Sequence, residues 1–401
     1  MNQKYIEKLL CSRVIMIFIF MHFLLYFCYL GNLGFLENII RFTAYSLSSF
    51  IILYYMLKHK LSKFSICLLL FIVFQFFSTI ISEYGSVKIF LSTYFVIIGL
   101  CFYYELCVKA EPKKTIGILG MILYILSVVN FVTIILFPNG LYATERYTSN
   151  WFFQYDNTHI FMFLPAILIN ILYDELYRKK ISFRTIILLV VIGYCVYYCN
   201  SASSVFIYTI FIIYIFFRKT LNYIKLLNIN TYIKVGIILF FLIVVFRIQN
   251  IFYFLIVEVL HKNMNYTGRT DVWDTVMRYI SNNPIIGYGI ESTEVFSAKM
   301  GHIYYTHAHN TILNVLYKGG VLSLMPFLLI INFAKEKLNL YKETKYVKLI
   351  SFVMLCYFIM MVFEARETKA GYYLVLVIAF NIDCLIKNRK EMLNYEKESN
   401  L

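Results

Sequence analysis

Charge is scarce in this chain: Asp, Glu, Lys and Arg make up 15% of its 401 residues, against 61% hydrophobic. A soluble globular domain is about a quarter charged and about half apolar, so that class is excluded. An Asp-x-Asp motif is absent, which disfavours a nucleotide-sugar enzyme that holds its metal on paired carboxylates. The polar loops lack cysteine. All nine cysteines (Cys11, Cys28, Cys67, Cys101, Cys107, Cys195, Cys199, Cys356, Cys384) lie within or beside apolar blocks, so neither a disulfide framework nor a zinc site is expected. Cys195 and Cys199 can share a helix face, but no His or acidic residue adjoins them in sequence, and packing accounts for them.

What the chain has instead is long apolar runs, such as the blocks beginning at Val14, Phe64 and Thr115. Each is close to the ~20 residues that a helix needs to cross ~30 Å of hydrocarbon. The first block follows basic residues but has no small-residue cleavage site after it, so it reads as a retained helix. The pattern predicts an all-α polytopic membrane protein with about twelve spans: 14–30, 39–57, 64–82, 89–108, 115–137, 158–173, 185–199, 202–217, 235–257, 310–333, 349–363 and 371–386. With the N-terminus inside, the cytoplasmic segments hold 26 of the 37 Lys and Arg residues. The positive-inside rule then sets both termini in the cytoplasm of a bacterial plasma (inner) membrane. This topology explains the net charge of +15 without nucleic acid.

Two polar loops fall on the outside, 138–157 and the longer 258–309. The chain thus divides into spans one to nine (1–257), the large loop (258–309), and spans ten to twelve with a cytoplasmic tail (310–401). Within the large loop, Thr270 and Asp271 suit a helix start, and Val272, Trp273, Val276, Met277, Tyr279 and Ile280 recur at helical spacing. A short amphipathic helix is expected, stopped by Asn283 and Pro284, with Gly287 and Gly289 making a sharp turn. Arg269 precedes it, where unpaired N–H groups and a guanidinium favour an anion such as phosphate. Arg278 can pair with Asp274 four residues earlier, a structural role.

His302, His307 and His309 close the loop. His309–Asn310 opens the tenth span, where an imidazole can accept a proton at neutral pH. The histidines lack the spacing of a zinc helix motif and have no carboxylate cluster beside them in sequence, so no metal and no cofactor is expected. Lys318 is an intramembrane charge, either functional or facing a water-filled cavity. In the shorter loop stand Arg146 and the aromatic run Trp151, Phe152, Phe153 and Tyr155, expected in the interfacial belt. Asn157 and His159 enter the sixth span as polar groups. Ser201, Ser203 and Ser204 form a tight outer turn, and Arg41, Arg247, Arg366 and Lys369 lie at or near the outer face, which suits a polyanionic headgroup.

The order Arg269, Trp273, Pro284, Gly287, Gly289, His309, Asn310, Gly319 and Gly320 resembles the O-antigen ligase and polymerase superfamily, over roughly residues 268–325. The resemblance implies a metal-independent, inverting glycosyltransferase that acts on undecaprenyl-diphosphate-linked oligosaccharides and polymerises repeat units of capsular or O-antigen polysaccharide. It implies that Arg269 holds the diphosphate and His309 is the base; Trp273, Asn310, Arg278, Lys318, Arg146, Asn157 and His159 are the candidate substrate-binding residues beside them. The flippase and chain-length regulator of such a pathway are the implied partners. A Ser/Thr-x-Ser-Arg stretch of the family has Ser204 here where its arginine is expected, with Arg146, Arg247, Arg278 or Lys318 as replacements. The alternatives are a ligase that moves finished glycan to another acceptor, and a flippase or other transporter.

Overall fold

The computed structural model describes residues 3–29, 34–144, 147–221, 223–248, 269–303 and 305–398. The chain folds as an all-α membrane protein. Its helices are α1 (Gln3–Leu10), α2 (Arg13–Leu25), α3 (Gly34–Lys58), α4 (Lys63–Ile81), α5 (Val87–Ala110), α6 (Pro112–Leu136), α7 (Asp156–Tyr173), α8 (Phe183–Cys199), α9 (Ala202–Leu221), α10 (Ile229–Phe240), α11 (Arg269–Asn282), α12 (Thr293–Met300), α13 (Thr311–Asn339), α14 (Lys345–Phe363), α15 (Ala370–Phe380) and α16 (Ile382–Glu398). A two-stranded hairpin, β1 (Asn150–Trp151) and β2 (Gln154–Tyr155), precedes α7.

Among the described residues, eight helices are long and apolar enough to cross a bilayer, and ten spans result if α1–α2, bent by 64°, and α15–α16, bent by 52°, each count as one. Two shorter apolar helices, Phe183–Cys199 and Ile229–Val245, fall where the seventh and ninth spans are expected. The latter helix therefore begins six residues before the predicted span 235–257, whose last residues (249–257) lie outside the described part, as does 258–268 of the large loop.

Several elements differ from expectation for identifiable reasons. Trp151, Phe152 and Phe153 are buried at 5%, 7% and 2% exposure rather than ringing the membrane interface. The hairpin turns them inward: Trp151 Nε1 donates to Phe137 O at 2.8 Å, and Phe153 N donates to Asn130 Oδ1 at 2.8 Å. In the large loop α11 forms as expected, starting at Arg269, one residue before the predicted cap. The eight-residue α12, capped by Ser292, was too short to stand out as a periodic run.

Two helix defects fix the site. Pro165 in α7 has no N–H, which frees the carbonyl of Phe161 four residues earlier. Tyr357 OH of α14 donates to that carbonyl at 3.2 Å, and Gly371 brings α15 so close that a Cβ there would stand 1.9 Å from the same oxygen. The second defect is in α13, where Gly320 (φ +59°) breaks the helix. The loop after α11 docks into the break. Tyr288 N and Gly289 N donate to Tyr317 O and Lys318 O at 2.7 and 2.8 Å, while Val321 N and Leu322 N donate to Pro284 O and Ile285 O at 2.9 and 3.2 Å. Backbone groups that the break would orphan, each costing about 1–3 kcal/mol if buried alone, are thus satisfied. A Cβ on Gly320 would meet Ile285 O at 2.1 Å. The motif glycines therefore seal a broken helix.

Candidate active site: a carboxylate ringed by cations

The site lies where α11 and α13 begin and α14 ends. One polar stripe of α13 (Asn310, Thr311, Asn314, Lys318) faces the α14–α15 connection, residues 364–369. Asn310 caps α13, accepting from Leu313 N at 2.9 Å, and its Nδ2 donates to Val362 O at 3.0 Å. Thr311 Oγ1 donates to Glu364 O at 2.7 Å and accepts from Arg366 N at 3.1 Å. Asn314 Nδ2 and Lys318 Nζ both donate to Glu367 Oε1, at 2.5 and 2.9 Å. A short run of charges between two apolar helices is thereby fixed in place.

Glu364, 3% exposed, is the hub. Arg269 Nη2 is 2.7 Å from its Oε1, Arg366 Nη2 3.1 Å from its Oε2, and His309 Nδ1 3.7 Å from Oε2. Burial would raise the Glu364 carboxyl. Arg366, the His309 contact and Arg269 outweigh it and hold the group below the usual carboxylate range. His309 sits at φ +47°, and its backbone N donates to His307 Nδ1 at 3.1 Å. Packed between protein groups, His307 is pushed well below the ordinary imidazole value by burial and by His309. Arg366, 1% exposed, lies with its guanidinium 3.9 Å from the Phe161 ring centre, over the defect in α7. Burial pushes the Lys369 ammonium, at the start of α15, down to about 8, with Arg366 adding to the shift and Glu367 and Glu364 opposing it.

Arg269, Lys318, Arg366 and Lys369 face Glu364 and Glu367, so four cations oppose two carboxylates and leave two positive charges over. Among the described residues, Arg269 Nε, Arg366 Nε and His309 Nδ1 are buried without a hydrogen-bond partner. Groups in that state are expected at sites that take a further ligand. The ligand atoms of His307, His309 and Glu364 lie within 4.8 Å of one another, a spacing that a metal ion could use, and so a carboxylate does complete the histidine pair that stood alone in sequence. The two guanidiniums already take the negative charge that would recruit a cation, so the donor set fits an anion better.

The other sequence candidates have different places. Trp273 is fully buried, in an apolar cluster with Val272, Val276, Phe296, Leu313 and Val362, and so serves α11 packing. Arg278 does not pair with Asp274. Asp274 takes Arg247 at 2.6 Å, and the exposed Arg278 reaches Thr275 Oγ1 at 3.3 Å. His159 is a core residue, 1% exposed, with Nε2 3.0 Å from Gln154 O and Nδ1 3.8 Å from Cys199 Sγ. Asn157 Oδ1 accepts from Ser201 and Ser203, tying α7 to α9, and Ser204 is buried. Arg41 pairs with Glu37 on its own helix at 2.6 Å, and Arg146 lies outside the described residues.

Residues 186–328 match the family model described as O-Antigen ligase. The match covers this part of the chain and supports its similarity to the O-antigen polymerase and ligase superfamily. No curated protein and no solved structure matches the chain. The matched stretch holds Arg269, His309, Asn310 and Lys318 and ends before the connection that carries Glu364 and Arg366. Members of that family transfer glycosyl groups, as polymerases or ligases, and the match supports an enzyme at that coarse level.

Proposed function

We propose that the protein polymerises undecaprenyl-diphosphate-linked oligosaccharide units at the outer face of the plasma membrane by inverting glycosyl transfer. The observation that carries this reading is the convergence of Arg269, Arg366 and His309 on one buried carboxylate. The donor's diphosphate occupies the cationic side, held by Arg269 and Arg366 with Lys369 and Lys318 adding charge. Glu364, with Oε2 3.7 Å from Nδ1, stabilises by its charge the imidazolium that forms, and Nε2 is the acceptor. His309 takes the proton of an acceptor hydroxyl, the oxygen attacks the donor's anomeric carbon from the opposite side, and the bond to undecaprenyl diphosphate breaks. The cations stabilise the charge gathering on the departing diphosphate. Metal-independent transfer follows, because guanidiniums do the work that a divalent ion would otherwise do.

Proton transfer by a placed base contributes about 10²–10⁴-fold, and a leaving-group clamp at least as much. His309→Ala and Arg269→Ala should each remove the polymer ladder made by purified protein from lipid-linked units while membrane insertion is kept. A normal ladder from either variant would remove that residue from its role. A ligase transfers finished glycan instead, and a null strain that accumulates long lipid-linked chains rather than single units would favour it.

A further inference from the structure

The opposite end of the bundle holds a second pocket that glycosyl transfer does not use. It is a cleft of about 630 Å³ between α2 and α6, closed by the end of α7 and the start of α8. Its rim is basic: Arg13 opens α2, Lys113 and Lys114 open α6, Arg178 follows α7 and Arg184 begins α8. Deeper along the same two helix faces the lining turns apolar, with Ile17 and Met21 one and two turns beyond Arg13, and Ile118, Met121, Ile122 and Ile125 beyond Lys114.

The cations exceed their local partners. Glu111 takes Lys114 at 3.2 Å, and Asp174 lies 3.5 Å from Arg178 while also accepting from Ser182 and Thr185. Arg184 Nε and Nη2 are buried with no hydrogen-bond partner. Its guanidinium and the Lys113 ammonium lean on aromatic rings, Tyr124 at 6.0 Å and Tyr177 at 5.6 Å. The apolar wall is open to the side, since Ile17, Met121 and Ile125 are 39%, 47% and 38% exposed.

We propose that this cleft binds an anionic phospholipid of the cytoplasmic leaflet, the headgroup phosphate on Arg13, Lys113 and Arg184 and one acyl chain along Ile17, Met21, Met121 and Ile125. The proposal rests on the cytoplasmic placement of the basic end. A soluble phosphate would need the rim alone. The change from basic rim to apolar floor within one cleft, open toward the bilayer, selects a ligand with both parts, and basic pockets between helices on the cytoplasmic side bind such headgroups.

The full-length protein, purified in detergent and titrated with mixed micelles of phosphatidylglycerol in phosphatidylcholine, provides the test, with retained lipid read by native mass spectrometry. Arg13→Gln/Lys113→Gln/Arg184→Gln should weaken phosphatidylglycerol retention by about ten- to a hundredfold, at about fivefold or less per charge. Lys60→Gln/Lys219→Gln/Lys225→Gln, on the same end but outside the cleft, should retain it normally, with lipid-free melting temperatures of both variants unchanged. Ile125→Trp, which fills the floor and spares every charge, should also release the lipid. Equal losses from the two triple variants would reduce the effect to general surface charge and overturn the proposal. Normal retention by Ile125→Trp, or displacement of the lipid by inorganic phosphate alone, would overturn it too.

Discussion

Two buried carboxylates, Glu105 in α5 and Glu364 after α14, are equally hidden from solvent and are treated in opposite ways. Glu105 accepts from Tyr55 and Ser65 on one oxygen, at 2.5 and 2.8 Å, and from Ser62 and Asn381 on the other, at 2.8 and 3.4 Å. Every donor there is a neutral side chain, with Lys109 behind them at 3.6 Å. Such a carboxylate is finished: it ties α3, α4, α5 and the start of α16 together and has little capacity left. Glu364 is surrounded by two guanidiniums and an imidazole that each keep an unused donor or acceptor. Burial alone therefore does not mark a functional acid. What distinguishes the two is whether the neighbours are themselves satisfied.

The largest expected contrast comes from removing each charge in turn. Glu364→Gln should lower kcat about 10- to 100-fold with a smaller change in KM, since the imidazolium formed in turnover loses the negative charge beside it while the arginines stay. Glu105→Gln should leave turnover per folded molecule unchanged and lower stability by about 1–3 kcal/mol, the cost of a buried polar network left partly unmade. Steady-state kinetics beside a detergent melting curve separates the two, and a kcat loss in both variants would erase the distinction. A smaller effect sharpens it. Lys369, pushed down to about 8, is charged below that pH and neutral above it. Attraction for an anionic donor then falls as pH rises through about 8, visible as a limb in kcat/KM, which reports the free enzyme. Lys369→Arg stays charged and should lose that limb. A limb of the same position in both proteins would assign it elsewhere.

The sequence carried the all-α polytopic class because bilayer-length apolar runs are strong, local signals. Part of the candidate site is legible for a similar reason: Arg269, His309 and Asn310 fall within one stretch of a recognisable order. The rest depends on contacts across long separations. Glu364 meets Arg269 from 95 positions away, and nothing local announces that pairing. The run Glu364, Arg366, Glu367, Lys369 between two apolar blocks was the available signal, and only Arg366 and Lys369 were drawn from it, as general outer-face charge. Trp273 and His159 show the converse: a motif position and a polar residue at a helix mouth read the same in sequence whether they are exposed or, as here, buried.

The most direct measurement of the central claim is binding of undecaprenyl diphosphate to purified protein, read beside turnover of lipid-linked units. Arg269→Gln/Arg366→Gln should lose both binding and turnover, binding by about a hundredfold or more, as charge-assisted pairs are withdrawn from a buried site. His309→Ala should bind the lipid diphosphate as the unaltered protein does and fail to turn over. Normal binding by the double-arginine variant, or equal loss of binding and turnover in His309→Ala, would contradict the account.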